Sequence, residues 1–124
     1  MRMAKGCMYK KNKLTAQQKS EELIDYTFIM TDSDKRYSKK HRFTFVDRMQ
    51  NIALDIHLGT VKANETPVST RKHLQVNVLS DIEVLMALIE ISFKRNFIND
   101  KQCQLWTNKV LDVKRLTAAW MQRT

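Results

Sequence analysis

The chain has 124 residues, a net charge of +9 at neutral pH, and only two Gly and one Pro. No apolar run reaches the roughly 18 residues of a transmembrane helix, and the charged N-terminus lacks the apolar core of a secretion signal. The two cysteines, Cys7 and Cys103, form no CxxC pair, which suits a reducing compartment, so we expect a cytoplasmic protein. Turns between strands draw on Gly and Pro, so their scarcity favours long helices.

The excess positive charge is concentrated in two short segments. Residues 1–13 contain five bases and no acid, and residues 35–42 contain five more bases and no acid. Basic patches of this kind attract polyanions, chiefly because binding releases counterions from the phosphates. Residues 1–14 are predicted to form a flexible basic arm, and residues 15–124 to form the folded domain. A plainer interpretation, which stays open, is that the charge only keeps the protein soluble.

The first helix is predicted to begin at Thr15 and to fade near Asp34. Thr15 and Gln18 have the spacing of a capping box, in which two side chains satisfy the amides of the first helical turn. Apolar and small residues then recur at helical spacing. The predicted buried face of this helix is formed by Leu23, Tyr26, Thr27 and Met30.

The second helix is predicted to begin at Phe43 or Thr44 and to end near Asn64. Its buried stripe repeats at steps of three and four residues. The stripe consists of Phe45, Met49, Ile52 and Ile56. Two further leucines, Leu54 and Leu58, lie off this stripe and predict a second buried face. Pro67 then interrupts the helix, and Ser69 is expected to cap the helix that follows.

The third helix is predicted over about Thr70–Phe97, and the fourth from Asn99, where Gln102 completes another capping box. The buried positions of the third helix are Val78, Ile82, Leu85, Ile89 and Ser92. Those of the fourth are Cys103, Trp106, Val110, Val113, Thr117 and Trp120. Heptad spacing with short connections is typical of an up-down antiparallel four-helix bundle, so the predicted class is all-α.

No pattern in the sequence predicts a catalytic or metal site. The three histidines, His41, His57 and His73, have no metal-ligand spacing with one another or with the cysteines, and no Gly-rich phosphate loop is present. Trp106 and Trp120 occupy the heptad seam, which favours core packing over stacking on nucleobases. We therefore expect a non-enzymatic protein without a cofactor.

Three short motifs resemble a known family. Residues 38–43 (SKKHRF) are similar to a family segment PK-x-x-RF, and residues 48–55 (RMQNIALD) to a helix with R-x-x-N/D-x-A-L-D. Residues 114–120 (KRLTAAW) are similar to a closing pattern G-R-x-L-x-x-W. The family is that of the accessory variability determinant (Avd) proteins of diversity-generating retroelements. It belongs to a wider group of four-helix bundle proteins that includes those encoded in 23S rRNA intervening sequences.

This resemblance implies an assembly and a set of partners. Avd proteins form a homopentameric barrel of four-helix bundles, and they bind the retroelement reverse transcriptase and its RNA in support of mutagenic cDNA synthesis. By resemblance, the chain is expected to be a homo-oligomer, a pentamer, that binds a reverse transcriptase and RNA, with DNA as a second candidate ligand.

Together these observations predict an adaptor that binds nucleic acid and a reverse transcriptase. The candidate nucleic-acid-binding residues are Lys35, Arg36, Lys39, Lys40, Arg42, Arg48, Lys94, Arg95, Arg115 and Arg123. One alternative is a structural or interaction bundle that binds a protein partner, with incidental charge. Another is a compact DNA-binding regulator, against which stands the lack of a helix-turn-helix pattern.

Overall fold

The computed structural model describes residues 14–124, of which 85% are helical and none lies in a β-strand. The four long helices are α1 (Thr15–Thr31), α2 (Asp47–Glu65), α3 (Lys72–Lys94) and α4 (Asp100–Arg123). The shorter elements are 3₁₀ turns at Lys39–His41 and Val68–Thr70 and a π-helical turn at Arg42–Val46. The predicted all-helical fold with four helices is confirmed. The predicted basic arm, apart from Leu14, lies outside the described residues.

The four long helices enclose one hydrophobic core. Each helix packs against the next in the chain, and α4 packs against α1. The α3 and α4 seams predicted from heptad spacing are buried, except that Cys103 is only partly buried. The largest fully buried core side chains of the four helices include Leu23, Met49, Ile56, Ile82, Leu85, Ile89 and Trp106. The two tryptophans are core residues, as predicted, with Trp106 0% and Trp120 5% exposed.

The two predicted capping boxes have different outcomes. At the start of α4, Asn99 Oδ1 accepts from the Gln102 amide at 2.8 Å, and Gln102 Oε1 accepts from the Asn99 amide at 2.9 Å, which confirms that box. At the start of α1, the predicted box is wrong because the helix begins one residue earlier than its spacing requires. Leu14 is the N-cap, its carbonyl accepts from the Gln18 amide at 3.0 Å, and no side chain caps this end.

The start of α3 also differs from the prediction. Ser69 lies within a 3₁₀ turn, and Arg71 takes the N-cap position without a side-chain cap. The Arg71 guanidinium instead donates from Nε and Nη2 to the Thr66 carbonyl, at 3.2 and 2.9 Å. Arg71 therefore stabilises the carbonyl end of α2 rather than the amide end of α3.

The end of α3 comes three residues before the predicted limit of Phe97. Asn96 has a φ of 66°, in the left-handed region that Asn tolerates better than most residues. The Phe97 amide then donates to the Ser92 carbonyl at 2.9 Å, which closes the helix end. Apolar periodicity continues through Phe97, and this is why the pattern alone places the helix end too late.

Candidate nucleic-acid interface

The basic segment 35–42 is anchored to the protein by a cluster of aromatic rings. Phe97, between α3 and α4, lies at the centre of this cluster. Its ring centroid is 5.2 Å from that of Tyr37, 4.6 Å from that of His41 and 5.4 Å from that of Phe45. Because pairs of aromatic rings at such distances are favourable, the α1–α2 connection is held against the end of α3. We name Tyr37, His41, Phe45 and Phe97 the aromatic cluster.

Arg36, one of the predicted site residues, has a structural role. Its Nε donates to the Met30 carbonyl at 2.9 Å, and its Nη2 donates to the Ile29 carbonyl at 3.1 Å. The last carbonyls of a helix have no partner within the helix, so these bonds stabilise the end of α1. Arg36 is also only partly exposed. It orients the basic segment and is poorly placed to bind an external phosphate.

Arg42 forms an ion pair with an acid of the same connection. Its Nη2 lies 3.1 Å from Asp34 Oδ1, with the two side chains 38% and 74% exposed. An exposed pair of this kind contributes little to stability, but it fixes the direction of the guanidinium. The partner of Arg42 is therefore Asp34, and not Asp47 or Asp55 on α2.

The remaining predicted cations near the aromatic cluster are exposed. Lys39 and Lys40 lie in the 3₁₀ turn, and Arg48 lies in the first turn of α2. Lys94 and Arg95, at the end of α3, lie within three residues of Phe97 and so close to the cluster. We call the set around the cluster the basic surface. It consists of Lys35, Lys39, Lys40, Arg42, Arg48, Lys94 and Arg95.

Arg115 and Arg123 lie away from the basic surface. At a rise of about 1.5 Å per residue along α4, they are about 22 and 35 Å beyond Asp100. Arg115 pairs with Asp112 at 3.3 Å within its own helix. Arg123 precedes Thr124, whose hydroxyl accepts from Gln75 Nε2 near the start of α3 at 3.2 Å. The structure therefore does not bring these two arginines together with the other eight candidates.

Phe43 is a feature of this region to which the sequence analysis assigned no role. Its side chain is 84% exposed, although Phe45, two residues later, packs in the aromatic cluster. Both residues lie in the π-helical turn, but only Phe45 packs against the core. The sequence feature that could have indicated this position is an aromatic residue about one helical turn after Lys39 and Lys40.

A buried serine on α1 and a partly buried histidine on α2 link the two helices. His57 Nδ1 lies 2.7 Å from Ser20 Oγ, and His57 Nε2 lies 4.0 Å from Glu21 Oε2. The Ser20 hydroxyl donates to the Gln17 carbonyl at 2.8 Å, so it accepts from the imidazole. Ser20 is 0% exposed. The pair is therefore arranged for packing between helices, whereas a nucleophile would donate its proton to the histidine.

Residues 14–124 contain neither a cluster of metal-ligand side chains nor a helix suited to span a membrane. No group of three or more His, Cys, Asp or Glu side chains in this range is arranged to hold a metal ion. None of its helices combines the length and apolarity that a membrane span requires.

Several apolar side chains off the core seams are exposed on α2 and α4. Leu54 and Leu58 on α2 are 43% and 49% exposed, and Leu105 on α4 is 47% exposed. Leu54 also lines a groove of about 450 Å³ with Ile24 and Phe28 of α1. The prediction that Leu54 and Leu58 form a second buried face is wrong for the single chain, because no other element within residues 14–124 covers these two side chains.

Comparisons with known proteins do not identify a family. No protein-family model matches the chain, and no curated protein is significantly similar to it. The resemblance to the Avd family therefore stays a prediction, carried by the three short motifs.

Proposed function

We propose that this protein is a non-enzymatic adaptor that binds nucleic acid through its basic surface. The observation that carries the proposal is the set of exposed cations around the aromatic cluster. A rigid platform loses little conformational entropy on binding, and its lysines neutralise phosphates with release of counterions. Contacts with phosphates position a nucleic acid but do not read its sequence, so the expected intrinsic specificity is weak.

The partner in this proposal is a retroelement reverse transcriptase, with RNA as the main ligand and DNA as the second. The resemblance of residues 38–43 and 48–55 to Avd motifs supports this partner, and the first of these segments lies within the basic surface. The adaptor would support mutagenic cDNA synthesis in the cytoplasm by holding the nucleic acid close to the enzyme.

We also infer an up-down antiparallel order for the four helices. Gln50, early in α2, donates to Thr31 Oγ1 at the end of α1 at 2.9 Å. Gln75, early in α3, contacts Thr124 beyond the end of α4. These contacts and the short α2–α3 and α3–α4 connections support the inference. The exposed leucines support assembly into a homo-oligomer, for which the resemblance implies a pentameric barrel.

The test removes charge from the basic surface without disturbing its anchors. Lys35, Lys39 and Lys40 are changed together to Gln, whereas Arg36 and Arg42 are retained because they bond within the protein. A matched control removes three exposed charges elsewhere. Its positions are Lys62, Lys72 and Arg123. Fluorescence anisotropy with labelled RNA and DNA measures affinity from about 50 to 200 mM salt.

The loop variant is expected to bind more weakly, with a log–log salt slope that falls by about 0.7–0.9 for each lost phosphate contact. The control variant should keep most of the affinity and slope of the parent. A circular dichroism melt of each variant checks that the bundle remains folded. If the loop variant is folded and binds as the parent does, the basic surface has no nucleic-acid role.

The structural or interaction bundle is retained as the second candidate function because three leucines outside the core are exposed. In that case, the charge is incidental and the parent binds RNA and DNA only weakly at physiological salt. The same salt series separates the two candidates.

A further inference from the structure

We propose that Phe43 is a stacking platform for unpaired bases and gives the basic surface a preference for single-stranded nucleic acid. This inference rests on the proposed function and deepens it. The basic surface alone would bind single strands and duplexes through their phosphates. An exposed aromatic ring can contact a base face only where that face is not covered by a neighbouring base pair.

The exposure of Phe43 is unusual within the described part of the chain. At 84%, it exceeds that of Ile29 and Val68, the next most exposed large apolar side chains, which are both 55% exposed. Scattered apolar side chains are normal on protein surfaces. Phe43 differs from them because almost the whole ring is accessible and because of the charges around it.

The backbone that carries Phe43 is held in place. Two residues later, Phe45 packs on Phe97 with ring centroids 5.4 Å apart, and Val46 is 1% exposed. Immediately before Phe43, Arg42 pairs with Asp34 at 3.1 Å. Anchors on both sides keep the turn fixed, so the ring is presented without a large loss of entropy on binding.

Cations flank the ring along the chain in both directions. Lys39 and Lys40 precede Phe43 by four and three residues, which places them about one turn away, and all three are exposed. Arg48 follows by five residues, in the first turn of α2, and is also exposed. Asp47 is the only acid between residues 38 and 48. A strand that places a base on Phe43 therefore has cations for the phosphates on either side of that base.

The charge around Phe43 favours a nucleic acid over a protein as the group that covers the ring. A protein that covered Phe43 would also cover the lysines beside it. Such a partner would need acids that pair with these lysines. Single-stranded nucleic acid supplies both needs at once, because it carries an aromatic face and an anionic backbone on each nucleotide.

The experiment compares three ligands of equal length at one salt concentration. They are a labelled single-stranded oligonucleotide, an abasic strand with the same phosphates, and a duplex. Phe43→Ala and Phe43→Leu should weaken binding to the single strand by at least about fivefold, without a change for the abasic strand or the duplex. Phe43→Trp should bind the single strand at least as well as the parent. Its fluorescence should be quenched by that strand but not by the abasic one.

Controls and contrary outcomes keep this inference distinct from the proposed function. Val68→Ala, at another exposed apolar position, should leave all three affinities unchanged. If Phe43→Ala matches the parent on every ligand while the parent shows the expected slope in the separate salt series, the stacking role is wrong and the basic surface stands. If Phe43→Leu keeps full affinity, or if Phe43→Ala changes the sedimentation coefficient of the protein, Phe43 makes an apolar or protein contact instead. A parent that binds none of the ligands contradicts both proposals.

Discussion

Tyr37 belongs to the basic segment in sequence and to the core in space. Its side chain is 0% exposed, and its hydroxyl has no hydrogen-bond partner in good geometry. The nearby Ser92 hydroxyl already donates to the Leu88 carbonyl at 2.9 Å. Burial raises the pKa of Tyr37 to about 12, although Ser92 and Arg36 oppose the shift. The tyrosine is therefore neutral at physiological pH and contributes as an aromatic ring.

This raised pKa predicts a loss of stability in alkali. In the unfolded chain the phenol titrates near 10, so above that pH the unfolded state loses its proton while the folded state keeps it. The free energy of unfolding should fall by about 2–3 kcal/mol as the pH rises from about 10 to 12. Tyr37→Phe should remove that part of the pH dependence and be nearly neutral at pH 7, since it deletes a hydroxyl without a partner.

Chemical denaturation at several pH values measures this effect as a difference between the parent and the variant. The difference isolates Tyr37 from the lysines, which titrate in the same range. Tyr26→Phe, at a partly exposed tyrosine, serves as the matched control. An unchanged alkaline slope in Tyr37→Phe would contradict the assigned burial.

Gly59 lies where α2 packs tightly against Val78 of α3. A Cβ atom at this position would lie 2.7 Å from Val78 Cγ2, well inside van der Waals contact. Val78 is 1% exposed, and a β-branched side chain in a helix has one strongly preferred rotamer. The valine therefore has little freedom to move, and the absence of a side chain at Gly59 lets the two helices pack at this distance.

Gly59→Ala should therefore destabilise the protein, by up to about 2 kcal/mol. Overpacking in a core typically costs about 1–3 kcal/mol, which outweighs the gain of about 1 kcal/mol in helix propensity. The Gly59→Ala/Val78→Ala double variant should be less destabilised than the sum of the two single variants, because the second change makes room for the first. Urea denaturation measures all three variants. Stabilisation by Gly59→Ala alone would show that the helices separate easily at this point.

The exposed leucines predict the behaviour of the whole molecule in solution. Leu54 and Leu58 are separated by one turn of α2 and are each more than 40% exposed. We expect a closed homo-oligomer that covers them, because an apolar surface of this kind is favourable to bury. Sedimentation velocity should show an oligomer for the parent and smaller species for Leu54→Gln/Leu58→Gln, with unchanged helical circular dichroism.

Val68→Gln, at an exposed position in the α2–α3 connection, is the control for this substitution and should sediment as the parent does. A parent that is monomeric at micromolar concentration would contradict the predicted assembly.

The sequence by itself determined the helices and most of the core. The period of an α-helix places residues three and four apart on one side, so Ile82, Leu85 and Ile89 could be assigned to the core without knowledge of their neighbours. The capping box of Asn99 and Gln102 was also predictable, because both partners lie within one turn. The predicted start of α1 at Thr15 is confirmed, although its predicted cap is wrong, and the predicted end of α3 at Phe97 is three residues too late.

Only the tertiary structure decided which basic residues form a surface. Arg36 and Arg42 look alike in sequence, but one bonds to the end of α1 and the other pairs with Asp34. Phe97 lies about 60 residues after Tyr37 and yet holds the connection that carries the lysines. Local periodicity contains no information on such distant contacts, because they depend on how the helices pack. The same packing partly buries Phe45 and leaves Phe43 exposed.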